Sequence, residues 1–354
     1  MPPPWRILRV ALLDAVVLAA LLAAGEMAVR VFYPQAGRHV FSETITGGHP
    51  IRPNSFELRD VEFPRARPAG QRRILCLGDS TTFGAGIAAE ETYPKQLERL
   101  LNQGGGPKRW FVINAGGQGS SITGLTEFLK EKGLAFGPET VVLGFSPTMV
   151  SVAGRSSSSP APKETLSRRL ERAALNLHAR LTGCYLYALV DANLRHRLYR
   201  AGIIHDRMDH PQGALLAYAF DVPGVQKQEV EQAYRTLEGE LSALKRLLDK
   251  RGVPLIVLGL PSRFRISESP RDNERGYDLS LIRIEPTERV ADLCDRMKIP
   301  FVDLRHDLRN LREQMLRGEL PWDDLYIPAD YAHLNANGMK EAAKELRRAT
   351  ARDG

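Results

Sequence analysis

Cysteine is scarce in this 354-residue sequence, and several features that identify common classes of protein are missing. The three cysteines, Cys76, Cys184 and Cys294, are far apart and odd in number, so they predict neither a disulfide framework nor a metal-ligand pattern. No glycine loop continues into Gly-Lys-Ser or Gly-Lys-Thr, which excludes the phosphate-binding loop of nucleotide hydrolases. The formal net charge is +7, but the arginines are scattered and no nucleic-acid-binding motif accompanies them. We therefore expect no nucleic-acid partner, although the positive charge suits acidic surfaces.

A long apolar run lies at the N-terminus. It begins after Arg6 and Arg9 and extends to Ala24, and Asp14 is the only charged residue within it. With a continuation towards Val29 it is long enough to cross a bilayer as a helix. Basic residues before such a helix hold the N-terminus in the cytoplasm, so the chain beyond the helix is exported.

The N-terminal segment, residues 1–33, is therefore predicted to be a membrane anchor or a signal segment. As an anchor it would cross the cytoplasmic membrane once and place the rest of the chain on the periplasmic or extracytoplasmic side. The alternative is a cleaved signal peptide, because Ala23-Ala24-Gly25 offers the small residues that a signal peptidase requires.

Further along the chain, short apolar runs alternate with amphipathic stretches. The composition, 43% hydrophobic and 26% charged, is that of a globular protein with a sizeable core. Continuous apolar strands separated by helices are typical of a parallel sheet covered on both faces. The sequence thus predicts an α/β fold with a mostly parallel five-stranded sheet, whose strands lie near residues 73–78, 110–114, 140–144, 253–259 and 299–303.

The same pattern suggests three parts of the chain after the N-terminal segment. Residues 34–71 are rich in Pro, Gly and Arg and are expected to be a connecting arm. Residues 72–354 are expected to form the main domain. The alternation breaks between about 150 and 225, where a serine- and proline-rich stretch leads into helical patterns, so a helical insertion is predicted there.

A serine directly after the first strand is the strongest candidate nucleophile. Ser80 comes after Gly78-Asp79, and a tight turn there would project its hydroxyl over the sheet edge, where ligands of such sheets bind. A serine hydroxyl needs a base to be reactive. Asp330 and His333, near the far end of the chain, are spaced so that the carboxylate can orient the imidazole towards Ser80.

Three motif blocks together resemble the SGNH (GDSL) hydrolases, and in particular bacterial membrane-anchored members. Gly78-Asp79-Ser80 resembles the nucleophile block, residues 112–119 (Val-Ile-Asn-Ala-Gly-Gly-Gln-Gly) the second block, and Asp330-Tyr-Ala-His333 the last block. The resemblance implies a flavodoxin-like three-layer sandwich, with Ser80, His333 and Asp330 as catalytic residues. It also implies an oxyanion hole built from the backbone amides of Ser80 and Gly119, and it implies no metal or organic cofactor.

The third block departs from the family pattern. Where the family has Asn-Asp after the third strand, this chain has Ser146-Pro147. The family's asparagine amide completes the oxyanion hole, and the hydroxyl of Ser146 is the shorter side chain that stands in its place. Losing such a donor costs about 10²–10³ in rate, so the departure bears on turnover rather than on the fold.

The resemblance implies serine-dependent ester hydrolysis outside the cytoplasmic membrane, by a carboxylesterase or an O-deacylase. An acylated polysaccharide or a lipid ester is the expected substrate. Two alternatives stay open: an O-acyltransferase for an envelope polysaccharide or exopolysaccharide, and a catalytically weakened carbohydrate-binding relative. The Ser146-Pro147 substitution is what motivates the second alternative.

Other residues allow rival interpretations. Asp303 and His306 form a second acid–histidine pair at the end of the last strand, and the Asp330/His333 pair is preferred because it lies in the last motif block. Gly84-Ala-Gly86 fits a dinucleotide fingerprint only loosely, since five residues separate it from the strand. Two histidines and one aspartate in the insertion could suggest a metal site, but a solvated loop is the preferred interpretation of His205, Asp209 and His210.

Overall fold

The computed structural model divides the chain into two compact units, and each is described by itself. One unit comprises Met1–Ile51 and Lys163–Ile204, and the other comprises Arg52–Pro162 and His205–Gly354. The residues that the structure describes are 4–32, 45–103, 109–150, 181, 184–187, 189–190, 194, 227–266, 286–322, 324–327, 330 and 332–352.

The first unit is built around a long N-terminal helix, α1 (Pro4–Phe32). Its segment Leu12–Phe32 is 21 residues long, has a mean hydropathy of 2.0 and is long and apolar enough to cross a membrane. The predicted N-terminal helix is therefore present. Two strands of two residues each, β1 (Ile45–Thr46) and β2 (His49–Pro50), form a small antiparallel pair in the same unit.

A carboxylate on α1 holds a piece of the predicted insertion. Glu26 accepts hydrogen bonds from the backbone amides of Tyr185 at 3.0 Å and Leu186 at 2.8 Å. The guanidinium of Arg30, one turn along the helix, donates to the same carboxylate at 2.7 Å. The carboxylate of Glu26 thus accepts hydrogen bonds on two sides, which lowers the free-energy cost of placing an acidic side chain in an apolar helix.

The second unit contains the predicted five-stranded parallel sheet. Its strands lie in the order β4-β3-β5-β6-β7 and every pairing is parallel. The strands are β3 (Gln71–Gly78), β4 (Arg109–Gly116), β5 (Thr140–Phe145), β6 (Leu255–Gly259) and β7 (Phe301–Asp303). Two strands begin later than their apolar runs, because Pro254 and Pro300 have no amide hydrogen to give to a ladder.

Helices cover both faces of this sheet, as the three-layer prediction requires. The helices of this unit are α2 (Ser80–Phe83), α3 (Tyr93–Asn102), α4 (Ile122–Glu131), α5 (Lys227–Asp249), α6 (Pro286–Arg296), α7 (Arg305–Leu316) and α8 (Ala336–Arg352). Leu75 and Leu77 pack with α4, α5 and α6 in one core cluster. Ile74 and Cys76 pack with α3, α7 and α8 in the other. This alternation along β3 is that of a strand buried on both faces.

The region predicted as a helical insertion lies almost wholly outside the described residues. Its described residues fall between 181 and 194, and α5 begins at Lys227, two residues after the predicted end near 225. The residues considered as a metal site, at positions 205, 209 and 210, also lie outside the described residues.

The described end of the segment expected to be a connecting arm, residues 52–71, lies in the same unit as the sheet. Leu58 and Phe63 belong to its core. The guanidinium of Arg73, which is fully buried, donates to the backbone carbonyls of Pro64 at 2.8 Å, Arg65 at 3.1 Å and Phe136 at 2.8 Å. One buried cation therefore ties this stretch of chain to the first strand of the sheet.

Replacing Arg73 by Ala should lower the free energy of unfolding by about 2–4 kcal/mol, because each buried carbonyl left without a donor costs about 1–3 kcal/mol. Urea unfolding of the full chain in detergent, followed by tryptophan fluorescence, measures the change. The neighbouring Arg72 is the matched control. Its ion pair with Glu139 is part-exposed, so Arg72→Ala should cost about 1 kcal/mol or less. Equal losses in the two variants would contradict the anchoring role of Arg73.

Candidate active site

The candidate nucleophile lies in a tight turn at the carboxyl end of β3. Ser80 is the first residue of α2, and Asp79 caps that helix by accepting the amide of Thr81 at 2.9 Å. Gly78 is required at the bend, because a Cβ there would lie 2.0 Å from Oγ1 of Thr82 and 2.9 Å from the carbonyl oxygen of Gly144. Through this capping bond the Asp79 carboxylate organises the turn that holds Ser80.

The candidate acid and base share a second turn, just before α8. The Asp330 carboxylate accepts the backbone amides of Ala332 at 2.8 Å and His333 at 2.9 Å through one oxygen. Its other oxygen lies 2.7 Å from Nδ1 of His333. An imidazole that donates Nδ1–H to a carboxylate leaves Nε2 free to accept a proton.

The two turns meet. Nε2 of His333 lies 2.8 Å from Oγ of Ser80, although 253 residues separate them in the chain. Hydroxyl, imidazole and carboxylate are thus linked by two hydrogen bonds in the order that a hydrolytic triad requires.

The electrostatics of the pair favour a charged imidazole. Burial by itself raises the pKa of Asp330, but the charge of His333 and three hydrogen bonds outweigh it and hold that pKa below its usual value of 3.8. Burial by itself lowers the pKa of His333, but the charge and hydrogen bond of Asp330, with a smaller contribution from Asp79, raise it above 6.5. The site is therefore built to accept a proton on His333.

Gly119 lies in the loop after β4, the strand that pairs with β3. Its φ of 69° is in the left-handed region, where glycine is favoured. The loop closes with a bond from the amide of Ser120 to the carbonyl of Gly117 at 3.2 Å, and Ser121 then caps α4. This places Gly119 at the sheet edge used by Ser80, and its amide stays a predicted oxyanion donor.

Ser146 is buried and faces Asp79. Its hydroxyl donates to Oδ2 of Asp79, as does the hydroxyl of Thr148, and the two hydroxyl oxygens lie 2.6 Å apart. A hydroxyl has one proton, and that of Ser146 is directed to Asp79 in this arrangement. Its proposed part in the oxyanion hole stays a prediction that this orientation does not support.

Arg263, which binds the acid–base turn, was not predicted from the sequence. This buried residue lies after β6, and its Nε donates to the carbonyl of Asp330 at 2.8 Å. Its Nη2 donates to the carbonyl of Ile327 at 2.9 Å and pairs with Asp324 at 3.1 Å. The available signal was its position, since an arginine in the loop that follows a strand's carboxyl end is placed to reach a neighbouring loop.

The rival acid–histidine pair is not assembled. Asp303 binds Arg305, accepting its backbone amide at 3.0 Å and its Nε at 2.9 Å. His306 is exposed, and its Nε2 lies 3.1 Å from Nδ2 of Asn310. Within the described part of the chain, no group of three or more His, Cys, Asp or Glu side chains comes together as a metal site would require.

Comparisons with known proteins give similarity at the level of structure. No family model matches the sequence, and no curated protein matches it. Among solved structures, an acetyl xylan esterase, AlAXEase, is 15% identical, with a TM-score of 0.43 over 78% of this chain and 98% of its own. An acetylxylan esterase from Geobacillus stearothermophilus is 15% identical, with a TM-score of 0.40 over 78% of this chain and 93% of its own. A lipase/acylhydrolase from Enterococcus faecalis is 15% identical, with a TM-score of 0.40 over 80% of this chain and 96% of its own.

The Asp330–His333 pair predicts a pH-dependent contribution to stability. The lowered pKa of Asp330 stabilises the fold above pH 3.8, and this is lost as the pH falls through the lowered value. The raised pKa of His333 stabilises the fold below pH 6.5, and this is lost as the pH rises through the raised value. Asp330→Asn should therefore destabilise the chain most between pH 3.8 and 6.5.

Urea unfolding of wild type and Asp330→Asn at about pH 5 and about pH 9 measures this difference. Asp292→Asn, which changes an exposed carboxylate on α6, is the control and should have little effect at either pH. A destabilisation by Asp330→Asn that is the same at both pH values would show that the pair is not charged as described.

Proposed function

We propose that this chain is a serine ester hydrolase in which Ser80 is the nucleophile, His333 the general base and Asp330 the residue that orients the base. The observation that carries the proposal is the pair of contacts, 2.8 Å and 2.7 Å, that join these three side chains. The groups come from turns 253 residues apart and meet at the edge of a parallel sheet where such folds bind ligands.

The geometry defines a sequence of proton transfers. Nε2 of His333 takes the proton of Ser80 as Oγ attacks the ester carbonyl, and Asp330 stabilises the imidazolium that forms. His333 then returns the proton to the departing alkoxide, which leaves an acyl group on Ser80. A water molecule, deprotonated by the same imidazole, attacks the acyl group. The bond between the acyl carbon and Oγ then breaks, the imidazolium returns the proton to Ser80, and the acid is released.

The oxyanion of each tetrahedral intermediate would rest on the backbone amides of Ser80 and Gly119. Because the hydroxyl of Ser146 is directed to Asp79, no third donor from this residue joins them. We expect turnover slower by about 10²–10³ than with a complete set of donors. An ester with a good leaving group suits such a site better than an unactivated amide.

The substrate class is inferred from the resemblance and from the proposed location. An O-acyl group on an envelope or secreted polysaccharide, or a lipid ester, would lie within reach of a domain tethered outside the cytoplasmic membrane. The basic net charge of +7 would favour an acidic polysaccharide or an anionic lipid surface. Transfer of the acyl group to a sugar hydroxyl would use the same acyl-enzyme, with the sugar in place of water.

Ser80→Ala and His333→Ala should each lower kcat/KM for p-nitrophenyl acetate by at least about 10³-fold, because each removes a member of one proton relay. The release of p-nitrophenol by the full chain in detergent measures the rate. His306→Ala is the matched control, since it removes the exposed histidine of the rival pair and should leave the rate unchanged. Equal rates in wild type and Ser80→Ala would reject the proposal.

Product analysis in the presence of an acceptor sugar distinguishes hydrolysis from transfer. Formation of acetylated sugar in place of free acetate would identify a transferase.

The location proposal predicts that α1 stays attached and that the C-terminus lies outside the cytoplasm. The intact mass of the membrane-extracted protein should include residues 1–33, and carbonate washing should not release the chain. A C-terminal tag should be removed by protease added to spheroplasts, while a cytoplasmic marker protein stays intact. A soluble product beginning near Gly25 would show a cleaved signal, and a protected tag would show the opposite orientation.

A further inference from the structure

Three side-chain oxygen atoms, from Asp79, Ser146 and Thr148, lie close together beside the turn that holds Ser80. Oδ2 of Asp79 accepts hydrogen bonds from the hydroxyls of Ser146 and Thr148, and these hydroxyl oxygens lie 2.6 Å apart. Oδ1 of the same carboxylate accepts the amide of Thr81 at 2.9 Å. The carboxylate of Asp79, a residue only 2% exposed, therefore has three protein donors in place of water.

Both hydroxyl donors come from the stretch that departs from the family pattern. Ser146 and Thr148 lie just after β5, which pairs with β3 and brings the third block beside the nucleophile turn. Both hydroxyls are placed to donate to Asp79, and because their oxygens also lie 2.6 Å apart, either hydroxyl can donate to the other. The hydroxyls of the third block therefore face a carboxylate.

The residue whose carboxylate these hydroxyls contact is the neighbour of the nucleophile in the chain. Asp79 directly precedes Ser80, whose Oγ lies 2.8 Å from Nε2 of His333. The charge of Asp79 acts on the imidazole in the same direction as that of Asp330. The charge of Asp79 also acts on Tyr93, a buried ionisable residue; burial raises the pKa of Tyr93 well above its usual range, so it stays neutral.

We propose that Ser146 and Thr148 are positioning residues that hold Asp79 beside the nucleophile as a second carboxylate for His333. This inference rests on the proposed hydrolase function and deepens it. The two hydroxyls solvate a buried charge that would otherwise be costly, and the charge stabilises the imidazolium formed when Ser80 gives up its proton. The third block would then support the base instead of the oxyanion.

Thr148→Val removes one hydroxyl at nearly constant volume and should lower kcat for p-nitrophenyl acetate roughly tenfold, with KM changed less than about twofold. With Asp79 less well held, the pKa of His333 should fall, so the acidic limb of the kcat/KM profile should move to lower pH. Asp79→Asn should move it in the same direction. Thr148→Ser, which restores the hydroxyl, should return both kcat and the pH profile to wild type.

Thr126→Val is the matched control. It removes the hydroxyl of another buried threonine, which donates to the carbonyl of Ile122 at 2.7 Å and has no part in the proposed site. It should leave kcat and the pH profile unchanged. If the hydroxyls act through Asp79, then Thr148→Val should add little to the effect of Asp79→Asn in the double variant.

A second measurement does not depend on turnover. The imidazole of His333 can be titrated by NMR in the full chain, and its midpoint should be lower in Asp79→Asn and in Thr148→Val than in wild type and Thr126→Val. An unchanged midpoint, fully additive kcat losses, or a Thr148→Ser variant as slow as Thr148→Val would overturn the positioning role. If these occur while Ser80→Ala is inactive, the hydrolase proposal stands without it. Full activity in Ser80→Ala would reject the hydrolase itself.

Discussion

The hydrogen bond between Nε2 of His333 and Oγ of Ser80 is the contact on which the site depends, and neither turn can make it alone. Parallel strands end at one edge of a sheet, so the loop after β3 starts next to the loops after its neighbours. The last turn is then held at that edge by backbone bonds, by the Asp330 carboxylate and by the guanidinium of Arg263. The contact between Ser80 and His333, 253 residues apart, is thus a consequence of the sheet topology, and a few buried polar groups fix its geometry.

Buried arginines hold irregular stretches of chain both at the site and away from it. Arg73 and Arg263 give their donors mainly to backbone carbonyls in irregular stretches of chain. Arg59 does the same at the end of α2, donating to the carbonyls of Gly84 at 2.7 Å and Ile87 at 2.7 Å. Loops cannot satisfy their own carbonyls by a regular ladder, and a planar guanidinium has five donors to offer. In this fold, such arginines take the place of secondary structure near the start of β3, at the end of α2 and at the turn that holds Asp330.

The features that could be predicted from the sequence are those that local pattern determines. The strands are continuous apolar runs, so their number, order of appearance and parallel arrangement could be inferred. The motif blocks predicted that Ser80, Asp330 and His333 come together, and the structure joins these side chains by two hydrogen bonds. The apolar runs predict strand starts that are too early where a proline, which cannot donate to the ladder, comes before the first paired residue, as at Pro254. The roles of Arg73 and Arg263 were not predicted, because an arginine's burial depends on which distant carbonyls surround it. The direction of the Ser146 hydroxyl was missed for the same reason, since its partner Asp79 lies 67 residues away.

The difference between Ser146-Pro147 and the Asn-Asp of the family that the sequence resembles distinguishes two kinds of oxyanion donor, backbone amides and side chains. The oxyanion donors that we propose at Ser80 and Gly119 belong to the backbone, so they would survive any side-chain change that leaves the turns intact. A side-chain donor has no such protection, and β3 and β5 stay paired here with serine at position 146, where the family that the sequence resembles has asparagine. The hydroxyls of Ser146 and Thr148 are short, but they reach the carboxylate of Asp79, which directly follows the adjacent strand. Because the sheet puts the first and third blocks side by side, short polar side chains in the third block can act on the base through Asp79, as we propose, without contacting the oxyanion.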